Sequence, residues 1–429
     1  HIMGYLKYPT KDNSGFYYRT HYIGEDGVEK VYDDVLSGKN GVRVIEIDAV
    51  GKVRSQSVIE KPVDGQSLTL SIDARISNEI YSIMEKLAEE KGFTGGAAAM
   101  MDVTNGDLLA LVSFPEYNSS LVAEGDIAAI KKYQNDPKTP FLNRVVSGLY
   151  TPGSIIKPIM AIGALNEGVI SPNKKILSTG ALTVPNPYFP DKPTVFRDWK
   201  AHGWVDMREA ISVSSDVYFY TIGGGFEDQK GIGIYNIEKY YKMFGLGEET
   251  GINISHEKAG IIPNPEWKEK VFDGDPWRLG DTYNTAIGQY GAQFTPIQVL
   301  RYVAALAYDG TLITPHLVDG EKVATRTIPL DKEYFKIAKE GMRMSATVGT
   351  TAGLNVSYVD IAAKTGTAEL GASKSLVNSW SVGFFPYDHP KYAFVFMIER
   401  GPVGNTLGAT YVARQTFDWM NINTPEYFK

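Results

Sequence analysis

The chain of 429 residues begins with a polar stretch and continues with longer, regularly patterned elements. Within residues 1–65, two short runs, Val42–Asp48 and Lys52–Glu60, have the character of strands. Beyond "SLTLSID", apolar residues recur every three or four positions, which predicts a helix from about Ala74 to Lys91. Because the pattern changes between these two parts, we place a domain boundary near residue 68.

Strand patterns fall into two groups that are far apart in the chain. In "GGAAAMMDVTNGDLLALVSF", two apolar runs flank Asn105-Gly106, a strong signal for a β-hairpin. The later strand patterns lie at Ile361–Glu369, Asn378–Phe385 and Tyr392–Glu399. Residues 116–345 are mostly helix and loop, and a helix from about Ala409 to Met420 closes the chain. The sequence therefore predicts an α+β fold, with a five-stranded antiparallel sheet flanked by helices.

Composition narrows the range of functions. A hydrophobic content of 43% and a charged content of 22% are ordinary for a globular protein. The net charge is −7 and no long basic run occurs, so we expect no nucleic-acid partner. Cysteine is absent, which excludes disulfides, thiol chemistry and thiolate metal sites. The six histidines have no ligand spacing, so we expect neither a metal nor a cofactor.

The segment "YTPGSIIKPIMAIGALNEG" (150–168) places a lysine, Lys157, among apolar residues on every side. A helix that is apolar all round is a buried helix, and an unpaired ammonium in such a place tends to lose its proton. Ser154 lies three residues earlier, on the same helical face. A hydroxyl beside an amine that can become neutral is the arrangement of a nucleophile and its base.

A purely structural alternative exists for this pair. Ser154 could cap the helix, while Lys157 extends its ammonium out to solvent. The four-residue pattern Ser-x-x-Lys also recurs in two loop-like stretches, at Ser171/Lys174 and Ser255/Lys258. Only the first copy opens a long apolar helix, so its wider context has to decide between the two interpretations.

Two further short patterns are weak individually. "AISVSSDVYFY" contains Ser214-x-Asp216, but Ser-x-Asp or Ser-x-Asn also occurs elsewhere in the chain. "AAKTGTAE" contains the run Lys364, Thr365, Gly366 and Thr367 at the end of a predicted strand, where a solvated lysine would be an ordinary finding. Together with Ser154-x-x-Lys157, however, they form the ordered motif set of penicillin-binding proteins and serine β-lactamases.

On these motifs the sequence resembles the class B penicillin-binding proteins, which are peptidoglycan D,D-transpeptidases. "YTPGSIIKP" is similar to the nucleophile segment of that family. Three other stretches resemble its elongation-specific branch, penicillin-binding protein 2: "FRDWKAHGWVDMREAISVSSDVYFY", "GDTYNTAIGQYGAQFTPIQVL" and "IIPNPEWK". Two features depart from the wider family. Asp216 stands where many relatives have Asn, and "IGQY" replaces a motif that more usually ends in Gly.

The resemblance implies a role for each motif residue in attack on a D-alanyl-D-alanine amide. Ser154 would be the nucleophile, Lys157 its base, and Ser214 a proton relay, with Asp216 beside them. Lys364 would attract the substrate carboxylate, which the hydroxyls of Thr365 and Thr367 would also bind, with Gly366 between them. The backbone N–H groups of Ser154 and Thr367 would form the oxyanion hole.

The resemblance also implies an organisation and a location. His1-Ile2-Met3 is typical of a cloning scar, residues 4–68 resemble part of an N-terminal pedestal or dimerisation segment, and residues 69–429 resemble the transpeptidase domain. We expect the extracytoplasmic (periplasmic) face of a bacterial inner membrane, with the native anchor missing. The expected partners are donor and acceptor peptidoglycan stem peptides, β-lactam antibiotics, a membrane glycosyltransferase of the SEDS family and other elongation-complex proteins.

Other activities share part of this chemistry. A D,D-carboxypeptidase would use water instead of an amine as the acceptor, and sequence does not separate the two. A non-catalytic β-lactam sensor would also be acylated, although a pedestal segment is not expected in one. A serine β-lactamase needs a base that activates a deacylating water, and this chain is much longer than such enzymes require.

Overall fold

The structure, a computed structural model, describes residues 1–15, 17–186, 189, 191–371 and 373–429. Its strands are β1 (Tyr5–Lys7), β2 (Thr10–Lys11), β3 (Tyr17–Arg19), β4 (Ile23–Asp26), β5 (Val42–Ile47), β6 (Val53–Glu60), β7 (Gly95–Asp102), β8 (Leu108–Phe114), β9 (Ile176–Ser178), β10 (Ala181–Val184), β11 (Thr194–Arg197), β12 (Gly203–Val205), β13 (Thr311–Ile313), β14 (Thr325–Thr327), β15 (Ala362–Leu370), β16 (Leu376–Phe385) and β17 (Tyr392–Pro402).

Its α-helices are α1 (Gly27–Val31), α2 (Asp33–Leu36), α3 (Ala74–Lys91), α4 (Ser119–Ala123), α5 (Ile127–Asn135), α6 (Lys157–Asn166), α7 (Met207–Val213), α8 (Asp216–Gly224), α9 (Ile234–Met243), α10 (Pro265–Val271), α11 (Leu279–Ala286), α12 (Pro296–Ala307), α13 (Lys332–Val348) and α14 (Ala409–Asn423). Short 3-10 turns lie at Gly153–Ile156, Ala352–Leu354 and Pro425–Phe428.

The predicted five-stranded sheet is confirmed. Its strand order is β15-β16-β17-β7-β8, and every neighbouring pair is antiparallel. The early hairpin is present, but its loop is longer than the two residues that Asn105-Gly106 suggests. Asp102 N–H donates to Asp107 O at 2.9 Å, and Gly106 N–H donates to Asp102 O at 2.9 Å. Gly106 has φ +91°, a conformation that glycine adopts freely.

Helices cover both faces of this sheet. Successive residues of β7 point to opposite faces, so Ala97 and Ala99 pack into the core that contains α6 and α12. Ala98 and Met100 pack on the other side, with the apolar residues of α3 and α14. Burial on both faces explains why β7 is apolar at consecutive positions and not at alternate ones.

The helices follow the sequence signals closely. The predicted limits of α3 are confirmed: Asp73 caps its start by accepting a hydrogen bond from Arg75 N–H, and Gly92 ends it at φ +76°. The expectation of helix and loop between residues 116 and 345 is also confirmed. Three short two-stranded ribbons in that region, β9–β12, β10–β11 and β13–β14, were not predicted, because three or four residues carry too little periodicity.

The N-terminal segment contains three two-stranded ribbons, β1–β4, β2–β3 and the predicted β5–β6. Every residue of β5 and β6 is exposed. Val28 joins the main core, and Tyr32 Oη donates to Glu321 Oε2 at 3.2 Å. Gln66 N–H still bonds to the N-terminal segment, at Val35 O, whereas Ser71 N–H bonds to Leu317 O. The backbone thus changes partner close to residue 68, where the domain boundary stays a prediction.

Among the described helices, none combines the length and the apolar character needed to cross a bilayer.

We predict that residues 69–429 fold without the first 68 residues. The central sheet and both of its helical layers lie entirely within that span, so the truncated protein should unfold in one cooperative transition. Thermal melting followed by circular dichroism measures this. A broad, non-cooperative melt would mean that the boundary is misplaced and that Val28 and its neighbours are part of one indivisible core.

Candidate active site

The segment that contains Ser154 and Lys157 begins as a 3-10 turn, Gly153–Ile156, and continues as α6 from Lys157. The irregular start is consistent with Pro158, which lacks the N–H group that a regular first turn could use. Lys157 is 0% exposed, so the alternative in which its ammonium extends to solvent is wrong. Ser154 is half-buried, and among the described residues none forms a hydrogen bond with its Oγ.

Three elements that are distant in sequence hold this turn. Gly153 N–H donates to Gly288 O at 2.9 Å, and Trp380 Nε1 donates to Thr151 O at 3.1 Å. The hydroxyl of Tyr302, a residue of α12, donates to Ile155 O. The position of Ser154 is therefore fixed by the sheet, by α12 and by the loop that follows α11, not by α6 alone.

Two glycines allow the turn to lie against strand β15. Gly153 has φ +59°, and a methyl group placed on it would lie 2.7 Å from Thr367 O. A methyl group on Gly366 would lie 2.7 Å from Pro152 O. No larger residue fits at either position without a backbone shift. The glycine of the Lys-Thr-Gly motif therefore has a steric purpose, which is to bring the motif next to Ser154.

The second motif lies in the bend between α7 and α8. Ser214 ends α7 at φ +59°, ψ 41°, and Asp216 is the first residue of α8. A left-handed conformation costs a non-glycine residue about 1–2 kcal/mol. Strain of this kind persists only where the surrounding structure imposes it, and it is common at functional sites.

Lys157 points into this bend. Its Nζ lies 2.6 Å from Asp216 Oδ1, 2.8 Å from Ser214 O and 3.3 Å from Ser214 Oγ. The ring centroid of Phe219 lies 5.4 Å away. The buried ammonium thus has a carboxylate partner and further oxygen ligands, which offsets the cost of removing it from water.

Lys364 approaches the same serine from strand β15. It is 0% exposed, so it is not a solvated lysine on a strand edge. Its Nζ lies 2.9 Å from Ser214 Oγ and 2.8 Å from Thr365 O, both uncharged. Burial, followed by the positive charge of Lys157, lowers the pKa of Lys364 well below its usual range, although Asp216 opposes the shift. The Ser214 hydroxyl therefore lies between one ion-paired amine and one amine without a carboxylate.

A cleft of about 910 Å³ opens over these groups. The predicted residues that line it are Ser154, Ser214, Asp216, Thr365 and Thr367. Lys157, Lys364 and Gly366 are buried behind this wall. Strand β15 is an edge strand of the sheet, so its outer backbone groups face the cleft without a neighbouring strand. The structure brings all eight predicted residues to one place.

The other copies of the Ser-x-x-Lys pattern lie elsewhere, in turns and bends as expected. Lys174 and Lys258 are both exposed. Lys174 Nζ lies 2.7 Å from Gln229 Oε1, a residue that belongs to none of the motifs. Only the copy at Ser154 combines a buried amine with the remaining motif residues.

Sequence reasoning missed Asp198, which lines the same cleft and supports the second motif through several hydrogen bonds. Its side chain is 0% exposed. Its Oδ2 accepts hydrogen bonds from Ser215 Oγ at 2.9 Å, Val217 N–H at 3.0 Å and Ser178 Oγ at 3.1 Å, while Oδ1 accepts one from Trp199 N–H at 2.8 Å. One carboxylate thus fixes the bend that presents Ser214 and Asp216.

The environment of Asp198 favours its charged form. Burial alone raises the pKa of Asp198, but backbone hydrogen bonds from Val217 and Asp216, together with the positive charge of Lys157, lower it below its usual value. The only sequence signal for this residue was its place in a stretch, "FRDWKAHGW", that also resembled the elongation branch.

No group of three or more His, Cys, Asp or Glu side chains in the described part of the chain is arranged to hold a metal ion.

Comparison with known families agrees with this geometry. A family model described as "Penicillin binding protein transpeptidase domain" matches residues 96–418, which is more than half of the chain. A second model, "Penicillin-binding Protein dimerisation domain", matches residues 1–70. The chain belongs to the penicillin-binding protein transpeptidase family.

Similar proteins place this penicillin-binding protein near one branch of the family. It is 32% identical to the peptidoglycan D,D-transpeptidase MrdA of Haemophilus influenzae, over 100% of this chain and 69% of that relative. A solved complex between penicillin-binding protein 2 and MreC from Helicobacter pylori has a TM-score of 0.80 and 32% identity. The match covers 98% of this chain and 77% of the solved one.

A second similar structure comes from a peptidoglycan synthase complex, whose description names its coordination of polymerization and crosslinking. It has a TM-score of 0.80 and 27% identity, and the match covers 97% of this chain and 73% of that chain. The resemblance found in the motifs is therefore confirmed at the level of family and fold.

The structure also shows the backbone of the stretch "IGQY", where the sequence departs from the family. Tyr290, in place of the more usual Gly, has φ +54°, and it lines the active-site cleft. The local backbone therefore keeps a left-handed conformation, although the residue carries a large side chain.

We predict that Asp198→Asn lowers the free energy of unfolding at pH 7 by about 2 kcal/mol, because a buried donor loses its charged acceptor. Folding lowers the pKa of this carboxyl. It therefore stabilises the folded protein at pH values above its pKa in the unfolded chain, about 3.9, and this contribution is lost as the pH falls below that value. The difference in free energy of unfolding between the unmodified protein and Asp198→Asn should therefore shrink below about pH 4. Urea denaturation between pH 7 and about pH 3.5 measures it.

Asp206→Asn is a matched control. Asp206 caps α7 with one hydrogen bond from Glu209 N–H, and Asn is an equally good cap. It should change the free energy of unfolding little. Equal losses in both variants, or a loss in Asp198→Asn that does not depend on pH, would contradict the role given to the Asp198 carboxylate.

Proposed function

We propose that this penicillin-binding protein is a peptidoglycan D,D-transpeptidase that cross-links stem peptides during cell-wall elongation through a serine acyl-enzyme, and that β-lactams inhibit it. The observation that carries the proposal is the Ser214 hydroxyl held between two buried amines, Lys157 and Lys364, in the cleft that Ser154 also lines. Supporting this, curated relatives with about one third identical residues are named peptidoglycan D,D-transpeptidases.

Ser154 attacks the carbonyl carbon of the penultimate D-alanine. Its proton passes to Lys157, which has to be neutral at that moment. The substrate carboxylate gives a reason for Lys157 to lose a proton, because its negative charge near Lys364 favours the ammonium form of Lys364. Lys157 can then give one proton to Ser214 Oγ while the Ser214 hydroxyl proton moves to Lys364. The two amines exchange one proton and no net charge is created.

The developing oxyanion is stabilised by backbone N–H groups. That of Ser154 lies at the start of a helix, where the partial positive charge of the dipole adds to the effect. That of Thr367 lies directly across the close contact allowed by Gly153 and Gly366. The Thr365 and Thr367 hydroxyls donate to the terminal carboxylate of the substrate, and Ser214 returns a proton to the leaving D-alanine.

The acyl-enzyme is resolved by an amine of a neighbouring stem peptide. Water in place of that amine would make the protein a D,D-carboxypeptidase, and the two differ only in the acceptor. A β-lactam sensor would stop at the acyl-enzyme, while a β-lactamase would hydrolyse it quickly. The names of the relatives favour the amine acceptor.

The same relatives support a proposal for the setting. We place the reaction at the extracytoplasmic face of the bacterial inner membrane, where stem peptides are cross-linked. Similar structures are described as a complex with MreC and as a peptidoglycan synthase complex. We therefore propose that the partners include elongation-complex proteins and a membrane glycosyltransferase of the SEDS family.

We predict that Ser154→Ala abolishes covalent labelling by a fluorescent penicillin and leaves the thermal melting temperature nearly unchanged, since one hydroxyl without a hydrogen-bond partner in the described structure is removed. Labelling on a denaturing gel measures the covalent bond. A deacylation time course on the unmodified protein should show a stable label, whereas rapid loss would indicate a β-lactamase.

Ser171→Ala and Ser255→Ala are the matched controls, because each removes the serine of another Ser-x-x-Lys pattern. Both variants should label like the unmodified protein. Labelling that survives in Ser154→Ala and disappears in either control would show that the nucleophile is assigned wrongly.

We predict that Asp216→Asn shifts the acid limb of the acylation rate to lower pH. The carboxylate 2.6 Å from Lys157 Nζ favours the ammonium form, and an amide of the same shape does not. Stopped-flow acylation by benzylpenicillin between pH 5 and pH 10 measures the limb.

The position of the limb is diagnostic and the height of the maximum is not, because Asp216 also begins α8, two residues after Ser214. Asp126→Asn, a change at the exposed cap of α5, should leave the limb in place. An unshifted limb in Asp216→Asn would mean that the carboxylate only supports the local backbone.

A further inference from the structure

Tyr290 occupies the cleft wall in a conformation that side chains seldom adopt. Its φ is +54°, between Gly288 at +76° and Gly291 at +78°. Glycine would adopt this conformation without strain, so the tyrosine is held there by its side-chain contacts.

Three aromatic residues and one lysine hold the ring. Its centroid lies 5.7 Å from that of Trp277 and 6.0 Å from that of Trp267, both edge-to-face, and 6.4 Å from that of Phe272, with which it stacks. The Nζ of Lys268 lies 5.7 Å from the ring centroid. The ring is therefore fixed before any ligand binds.

Lys268 is itself immobilised, which makes this support rigid. It is 3% exposed, and its Nζ lies 2.7 Å from Asp281 Oδ2 and 2.9 Å from Asp275 Oδ2. Arg278 in turn donates to both oxygens of Asp275, at 2.6 and 2.7 Å. The cluster ties the segment before α11 to the loop that carries Tyr290.

The same loop contacts the catalytic elements. Gly288 O accepts the hydrogen bond from Gly153 N–H, and Gln289 Nε2 donates to Thr367 O at 3.3 Å. Tyr290 is thus the next residue after a direct contact with edge strand β15.

An acyl donor bound at this edge would reach Tyr290. Paired antiparallel residues exchange two hydrogen bonds, so a donor whose carbonyl oxygen accepts from Thr367 N–H also points its own N–H at Thr367 O. That N–H replaces the side chain of Gln289. Tyr290, the residue after Gln289, lines the same cleft, so the group attached to the donor nitrogen would lie close to its ring.

We propose that Tyr290 is a specificity-determining residue, whose ring contacts the apolar part of the group that precedes the scissile carbonyl of the acyl donor. In a stem peptide this group is the residue before the D-alanine pair, and in a penicillin it is the acyl side chain. The proposal rests on acylation of Ser154 as proposed above. A fixed aromatic surface favours such a group because little freedom is lost on binding.

Two penicillins with one bicyclic core test this. Benzylpenicillin carries a phenylacetyl side chain, and 6-aminopenicillanic acid carries a free amine instead. The preference is the ratio of the second-order acylation rate constants for benzylpenicillin and 6-aminopenicillanic acid. Gly and Asn both tolerate a left-handed backbone, so in Tyr290→Gly and Tyr290→Asn this ratio should fall about 3- to 10-fold. The constant for 6-aminopenicillanic acid should stay within about twofold, since that compound does not reach the ring.

Tyr290→Phe is the matched control, because it keeps the ring and should keep the preference. The ratio of two constants does not depend on the fraction of folded protein, so partial misfolding of a variant does not affect the result. An equal loss for both penicillins would show that the ring only supports the loop, which overturns the proposal. Failure of both to acylate the unmodified protein would overturn the transpeptidase assignment, and this proposal with it.

Discussion

The burial of two lysine amines around one serine hydroxyl is the constraint on which the rest of the site depends. Lys157 and Lys364 are both 0% exposed, and two ammonium ions this close in an apolar interior would repel each other strongly. Asp216 neutralises one of them at 2.6 Å, and the other has its pKa lowered by burial. The Ser214 hydroxyl therefore lies between an ion-paired amine and an amine that has no carboxylate partner among the described residues, and the surrounding elements keep that geometry in place.

Much of the structure around the pair supplies this geometry. Ser214 is held in a left-handed conformation, and the carboxylate of Asp198 fixes the bend with hydrogen bonds from Ser215 and Val217. The cost of one strained residue, about 1–2 kcal/mol, is comparable to a single hydrogen bond to a charged group. Several such bonds converge on Asp198, and together they offset the strain at Ser214.

The sequence predicted the elements and the motif residues, but not the pairing among them. The sheet, the limits of α3 and the eight site residues follow from local patterns and from a resemblance. Which lysine meets Asp216 does not, because Lys157 and Asp216 are 59 residues apart, and Lys364 and Ser214 are 150 apart. Asp198 was missed for the same reason: a single buried acceptor leaves no periodic signal.

The open edge of β15 reconciles catalysis with solubility. An unpaired strand edge invites pairing with another chain, yet a transpeptidase needs such an edge to bind an extended peptide. Two features limit the exposure. The side chain of Gln289 donates a hydrogen bond to Thr367 O, which a substrate N–H can replace. Glu369 and Lys374 form an ion pair at 2.6 Å, which places charged groups at the end of the strand. A charged pair at one end of an edge strand is a common way to discourage pairing with another chain, and it leaves the stretch at Thr365–Thr367 open to a short peptide.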